Sequence, residues 1–363
     1  MSGEAPESLR QPGSSGQDVC LVTGATGFIG AHLVRRLLRA GYRVRCLVRA
    51  SSDTSALEEL NLELVSGDLT SADALRGAAM GCRFVLHCGA LVSDWATIAE
   101  IRQINVVGTR NVLRASLAAS VERFVHFSTT DVYGHPGGGA IDEHQAPGGF
   151  SNWYSATKLA AEAEVRRVEQ TDALEVVILR PATVYGPQSE DVVGEMARAI
   201  CAERMLLIDG GRAVAGLSYV ENVVDAALLA LRSDAAPGQA FNVTDGLNVT
   251  WRQFLAEVAE ALGCPQPRWS LPYGLAYALA FSLEHAYRLL RRTTGLRTPP
   301  LLSRQAVHVL GRNQDFSNRK AREVLGWEPG LSYAAGLEAT LAWLKEAYLA
   351  PGGPTRAQRH GGA

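Results

Sequence analysis

The chain has 363 residues, more than one ordinary domain needs, so a core domain with an added lobe is expected. Lys and Arg total 35 against 37 Asp and Glu, a net charge of −2, which supplies none of the basic field that nucleic-acid binding needs. The six scattered cysteines form no Cys-x-x-Cys pair and no Cys/His metal spacing, so reduced buried thiols, a cytoplasmic location and no metal site are expected.

Residues 1–17, rich in Gly, Ser, Pro and Glu, lack the apolar run of a signal peptide and read as a disordered leader, as 350–363 read as a disordered tail. The first ordered element is a strand at 19–22. It leads into Val22-Thr23-Gly24-Ala25-Thr26-Gly27-Phe28-Ile29-Gly30 and a helical pattern over 28–38. Three glycines at a strand-to-helix turn let backbone amides approach a pyrophosphate, and the helix N-terminus adds its partial positive charge. The strand before and the helix after are the context that makes such a triplet a dinucleotide site.

Further strands are expected at 43–48, 62–65, 84–88, 124–127 and 176–179, alternating with helices at 72–79, 98–117 and 155–168. This alternation implies an α/β fold, a doubly wound parallel sheet with helices on both faces and ligands at the strands' carboxyl ends. His87 and His126 lie in apolar runs and read as core. The Gly/Pro-rich stretch 134–149 reads as a loop rimming the site.

The catalytic candidates follow. Tyr154 and Lys158 stand four apart on the helical pattern, so both face one way, and an ammonium beside a phenol is expected to lower the tyrosine pKa. Tyr154 then becomes a general acid/base for a hydroxyl proton. The apolar strand before it ends in Ser128, Thr129 and Thr130, any of which can hydrogen-bond a reacting carbonyl or alkoxide oxygen.

Beyond residue 181 the alternation fades. Short strands at 206–208 and 241–243 mix with helices at 223–231, 251–262 and 275–290. A dinucleotide-binding domain over 18–187 and a smaller mixed α/β substrate lobe over 188–349 are expected, with some later strands returning to the sheet. The mostly apolar run 271–290 is interrupted by Glu284, His285 and Arg288. It is too short and polar to span a bilayer and reads as a cap helix, with peripheral membrane contact as the alternative.

Taken together, these features resemble the extended short-chain dehydrogenases/reductases over about residues 19–347. The motifs are the glycine turn, Gly67-Asp68-Leu69, His87-Cys88-Gly89-Ala90, Asn105-Val106-Val107-Gly108-Thr109, Thr129 to Gly134, Tyr154 with Lys158, and Leu179-Arg180-Pro181. The resemblance implies a Rossmann domain, Thr129 as the catalytic hydroxyl, Lys158 on the nicotinamide ribose, Asp68 near the adenine and Pro181 bordering the nicotinamide. It places Gly24, Thr26, Gly27, Phe28, Ile29, Gly30, Leu69, Gly89 and Ala90 around the cofactor. Relatives often dimerise through the helices carrying Asn105 and Tyr154, so a homodimer is expected.

The second strand ends in Arg49 followed by Ser51 and Ser52, where NAD enzymes of the family carry an acid. A guanidinium there suits a 2′-phosphate, as in the similar NADP-dependent dihydroflavonol reductases. NADP is therefore favoured and NAD remains the alternative. Ala215 and Gly216 stand where nucleotide-sugar epimerases carry Arg-Asp, with Arg212 displaced. Thr130 and Asp131 stand where dehydratases carry Asp-Glu.

Three later segments resemble the 3β-hydroxysteroid dehydrogenase and sterol C4-decarboxylase branch: Tyr219-Val220-Glu221-Asn222, Leu271 to Tyr277 with Glu284, and Asp315 to Ala321 with Leu325-Gly326-Trp327. The resemblance thus implies an NAD(P)-dependent oxidoreductase interconverting a secondary alcohol and a ketone on a lipophilic steroid-like or β-hydroxy/keto acid substrate. The alternatives are an NDP-sugar epimerase with tightly bound NAD and a non-catalytic NAD(P)-sensing protein.

Overall fold

Six short β-rich runs and one later strand pair into a seven-stranded, all-parallel sheet in the computed structural model, which describes residues 18–150, 152–171, 174–294, 300 and 302–349. The strands are β1 (Val19–Thr23), β2 (Arg43–Val48), β3 (Glu63–Ser66), β4 (Phe84–His87), β5 (Arg123–Phe127) and β6 (Glu175–Pro181). Ala240–Val243 joins as the edge strand beyond β6. The order runs Ala240–Val243, β6, β5, β4, β1, β2, β3, so successive strands build outward in opposite directions from the β1/β4 boundary. Helices leave that boundary toward opposite faces and open a crevice above the carboxyl ends, where ligands of such sheets bind. This is a Rossmann fold. The leader and tail expected at 1–17 and 350–363 lie outside the described residues.

The central strands carry continuous apolar runs because both of their faces are covered. Leu21, Val85, Phe124 and Ile178 fill the core on one side, while Val22, Leu86, Val125 and Leu179 fill it on the other. Helix α1 (Phe28–Arg39) buries Leu33, Val34 and Leu37 against the sheet. Each such side chain contributes about 1.5–3 kcal/mol relative to exposure. A return of the chain to the sheet was expected, and Ala240–Val243 makes it, its Val243 level with Pro181 of β6.

Two expectations need correction. The stretch 98–117 is not one regular helix. α-Helical Ile98–Arg102 and Thr109–Ala118 flank a π-helical segment, Gln103–Gly108, which widens the turn and swings Asn105 inward. Nor are all six cysteines reduced. Cys201, at the end of helix Glu195–Cys201, forms a disulfide with Cys264, just beyond helix Trp251–Ala261. The two are 63 residues apart, and no local spacing signals the pairing. Cys20, Cys46, Cys82 and Cys88 are free, the first three buried.

Small parallel sheets pair Thr183–Tyr185, just before the lobe, with Leu217–Tyr219 inside it, and Leu207–Ile208 with Ser270–Leu271. The lobe's helix Tyr273–Thr294 packs on helix Arg304–Gly311 through a part-buried ion pair, with Arg304 Nη2 2.9 Å from Glu284 Oε2. The Glu284 that interrupts the apolar run thus points inward. Asn222 and Trp327 of the later motifs lock the lobe together. Asn222 Oδ1 accepts from the Leu331 amide at 2.9 Å, and the Trp327 indole donates to the Asn222 carbonyl at 3.0 Å. No helix among the described residues is long and apolar enough to cross a membrane.

Candidate active site

Every proposed site residue in the Rossmann domain emerges at the carboxyl edge of the sheet or on the helices above it. Gly24 follows β1, Arg49 follows β2, Asp68 and Leu69 follow β3, and Gly89 and Ala90 follow β4. Thr129 follows β5, and Pro181 ends β6. The glycine turn is built for close approach. Gly24 has φ +72°, and a Cβ there would lie 2.7 Å from the Gly89 amide nitrogen. A Cβ on Gly30 would lie 2.0 Å from the Gly24 carbonyl oxygen, so only glycine lets α1 start so near β1.

Gly27 caps α1 with no side-chain hydrogen bond, and no acidic residue lies in the first turn. The first amides of α1 are therefore left to a ligand, and Thr26 and Gly27 are exposed beside Phe28 and Ile29. This cradle of uncapped helix amides fits a dinucleotide pyrophosphate. Asp68 is half-buried, its carboxylate accepting from the Thr70 amide and hydroxyl at 2.8 and 2.7 Å. Arg49 is exposed at the end of β2.

His87, expected in the core, is buried there between the Thr23 hydroxyl at 2.6 Å and the Thr109 hydroxyl at 2.9 Å. Burial, reinforced by the Lys158 charge, lowers its pKa to about 3, so it stays neutral. His126 is likewise buried, with neither ring nitrogen hydrogen-bonded to another described residue.

Tyr154 and Lys158 lie one turn apart on helix Trp153–Glu169, which Asn152 caps by accepting from the Ser155 amide at 2.8 Å. Asn105, delivered by the π-segment, donates to the Thr157 hydroxyl at 3.2 Å and bonds both ways with the Leu91 backbone. Lys158 is buried, and its ammonium donates to the Phe127 carbonyl, two residues before Thr129. The phenol-bearing helix is thereby tied to the end of β5. Of the three hydroxyls there, Ser128 and Thr130 are buried. Thr129 is half-exposed, and its Oγ1 accepts from the Asp131 amide at 3.2 Å, leaving its own proton free to donate.

One electrostatic expectation is overturned. The phenol of Tyr154 is pushed up rather than down, first by burial and then by the Asp131 carboxylate. The Lys158 ammonium, which donates to the Phe127 carbonyl, is not among the causes of the shift. Burial lowers Lys158 itself to about 8, against the opposing pull of Glu162.

Sequence reasoning missed a polar cluster facing this site. Gln305, on the lobe helix Arg304–Gly311, donates to Asp131 Oδ2 at 3.0 Å and lies 2.9 Å from His135 Nε2. His135, at φ +54°, also meets Gln314 Oε1 at 2.9 Å. Asp94 accepts from the Ser303 hydroxyl at 2.5 Å, and its carboxyl is raised by burial. The only available signal was Asp131 within the Thr129–Gly134 motif, with His135 four residues on, since Gln305 stands 174 residues away from Asp131.

Comparison with known proteins agrees with this fold. The model of the NAD dependent epimerase/dehydratase family matches residues 20–244. A 4-hydroxy-2-methyl-3-oxo-4-farnesyl-3,4-dihydroquinoline-1-oxide ketoreductase from Stigmatella aurantiaca is 32% identical over 321 residues, 88% of this chain and 94% of that protein. Sterol demethylase protein B of Methylococcus capsulatus is 32% identical across 90% of this chain and 98% of its own. Among solved structures, that of gox2253 superposes with a TM-score of 0.75 at 30% identity, covering 91% of this chain and 98% of that one.

Proposed function

This chain belongs to the NAD dependent epimerase/dehydratase family, and we propose that within it the protein is an oxidoreductase interconverting a secondary alcohol and a ketone on a lipophilic substrate. The observation that carries the reading is that Tyr154 and Lys158 stand one turn apart on a helix whose Lys158 ammonium donates to the Phe127 carbonyl, two residues before Thr129 at the end of β5. A nicotinamide dinucleotide seated on the glycine turn would supply or accept the hydride.

The protein's own groups handle oxygen and proton. Thr129 donates a hydrogen bond from its hydroxyl to the substrate oxygen and orients it, keeping its own proton. In reduction Tyr154 gives its proton to that oxygen as it becomes an alkoxide, and in oxidation it takes the proton back. Lys158 grips the ribose while staying anchored to β5. The raised phenol pKa keeps Tyr154 protonated at neutral pH, the form that reduction needs. Arg49 at the end of β2 favours NADP through its 2′-phosphate.

Two observations support a lipophilic ketone over a nucleotide sugar. The relatives named above include a reductase of a farnesylated ketone and a sterol-processing protein. The epimerase position for a phosphate-binding arginine is also closed. Ala215 is fully buried, and a Cβ on Gly216 would lie 2.5 Å from the Gln314 backbone oxygen. Arg212 points to solvent.

The test is turnover of long-chain and sterol ketones, followed by NADPH absorbance, in the wild type and Tyr154→Phe. The wild type should consume NADPH stoichiometrically, and the variant should bind the dinucleotide normally yet turn over at least about a hundredfold more slowly. Hydride transfer at the wild-type rate in the variant would refute the assignment. Sugar interconversion without net NADPH change would install the epimerase reading instead.

A further inference from the structure

Gln305 is the lobe's contact with the strand end that carries the proton machinery. It sits in the first turn of helix Arg304–Gly311, and its side-chain nitrogen meets two groups. One is Asp131 Oδ2 at 3.0 Å, the other His135 Nε2 at 2.9 Å. Gln305, His135 and Gln314 are all buried, so each polar atom needs a matched partner. The His135 backbone is left-handed at φ +54°, which a non-glycine residue keeps only where its surroundings fix it.

These contacts leave one consistent arrangement of protons. Gln314 Nε2 faces the Arg312 carbonyl at 3.0 Å and the His308 carbonyl at 3.4 Å, so it donates to both and its Oε1 is left to accept. That oxygen lies 2.9 Å from His135 Nδ1, which therefore carries a proton. On the far side of the ring the Gln305 amide nitrogen can only donate. It gives one N–H to the Asp131 carboxylate and the other to His135 Nε2, which must be bare. The ring is neutral, in its Nδ1–H form. A proton on Nε2 would set donor against donor at Gln305 and turn to Asp131 Oδ1, 3.4 Å away. That charged pairing is the downward pull His135 can exert on the Asp131 carboxyl. The lobe opposes it. Arg312 Nη1 lies 3.5 Å from the Pro136 carbonyl, next to His135, and Arg304 is nearby but paired with Glu284. His308 stacks parallel to His135 at 6.0 Å, and burial above all lowers its own pKa to about 4.

We propose that Gln305 is a positioning residue for the catalytic phenol: by donating to both groups it holds His135 neutral and leaves Asp131 a net negative charge beside Tyr154. A histidine that met this carboxylate alone would take up a proton and cancel the charge. A neutral amide satisfies the carboxylate without cancelling it. The retained charge adds to burial in disfavouring phenolate, so Tyr154 stays the proton donor that ketone reduction needs. This kinetic consequence rests on the reductase reading above; the state of His135 does not.

The experiment is NMR of the full-length protein with isotope-labelled histidine at neutral pH, the His135 signals being assigned with His135→Gln. Beside it, kcat/KM for alcohol oxidation is followed against pH. Wild-type His135 should give the neutral Nδ1–H pattern. In Gln305→Leu it should become imidazolium, and the rise of kcat/KM with pH should move down by about one unit. Adding His135→Gln to that variant supplies a neutral donor again and should return the rise to the wild-type pH. A merely structural role of Gln305 would give no such rescue. Wild-type His135 found as imidazolium, or in the Nε2–H form, overturns the proposal, and that measurement stands even if Gln305→Leu fails to fold. A profile that does not move in Gln305→Leu overturns it equally. If no alcohol or ketone is turned over, the reductase reading falls, while the NMR result still decides the state of His135.

Discussion

Asp131 is the residue whose role the fold changes most. In sequence it is one letter in a strand-end motif, but in space it is a half-buried carboxylate whose Oδ2 accepts from Gln305 and whose Oδ1 lies 3.4 Å from His135 Nε2. Burial raises its own pKa, and His135 and Gln305 draw it back down. Its charge is the second cause, after burial, of the raised Tyr154 phenol. An anion beside a phenol disfavours phenolate, so removing it must lower the phenol pKa. Asp131→Asn should therefore shift the rise of kcat/KM with pH, measured for alcohol oxidation, toward lower pH by about one unit. An unchanged profile would separate Asp131 from the proton step. Arg49 carries the other residue-scale prediction. Because its side chain is exposed at the carboxyl end of β2, where the proposed function places the 2′-phosphate of NADP, Arg49→Asp should turn a preference for NADP into one for NAD, by about tenfold or more in fluorescence titrations. Equal preference before and after would leave Arg49 a solvated strand end.

At the scale of elements, what could be read from sequence was what repeats locally. Arg43–Val48 and the helix Ala72–Ala79 have the expected bounds, because each declares itself by period and composition within a few residues. The glycine turn was readable for the same reason. The π-segment was not, since Asn105 earns its place only against Thr157 and Leu91. The direction of the Tyr154 shift also escaped, because it depends first on burial of the phenol and then on Asp131 folding beside it. The anchoring of the catalytic helix is equally non-local. Glu162, one turn after Lys158, makes a two-pronged ion pair with Arg180 of β6 at 2.9 and 2.6 Å, and Arg180 also donates to the Tyr133 hydroxyl at 2.8 Å. Both charges are buried, so neutralising one strands the other. Glu162→Gln should cost about 3 kcal/mol in urea unfolding, whereas replacing both Glu162 and Arg180 by Met should recover much of it. A loss below the measurement error in the single variant would mean that solvent reaches Arg180.

At the scale of the whole molecule, the chain crosses between sheet and lobe more than once, and the disulfide sits on that traffic. The 63-residue span between Cys201 and Cys264 contains Leu217–Tyr219 of the lobe, helix Val220–Arg232 packed on α1, and the edge strand Ala240–Val243 of the main sheet. A cross-link closing this loop restricts the unfolded chain over the very segment that must find partners in both halves. By the loop-entropy argument its removal should cost about 2–4 kcal/mol. Because the glycine turn lies outside the span, dinucleotide affinity should hardly change. Urea unfolding with and without dithiothreitol, alongside Cys264→Ser, measures the first, and titration of the reduced protein with NADP and NAD measures the second. Equal stability in both states, with Cys201 and Cys264 both reactive toward a thiol reagent in the native protein, would show that the bond does not form in solution. A large fall in stability together with a lost dinucleotide site would instead mean that the lobe holds the glycine turn in place, coupling the two halves more tightly than the sheet order alone implies.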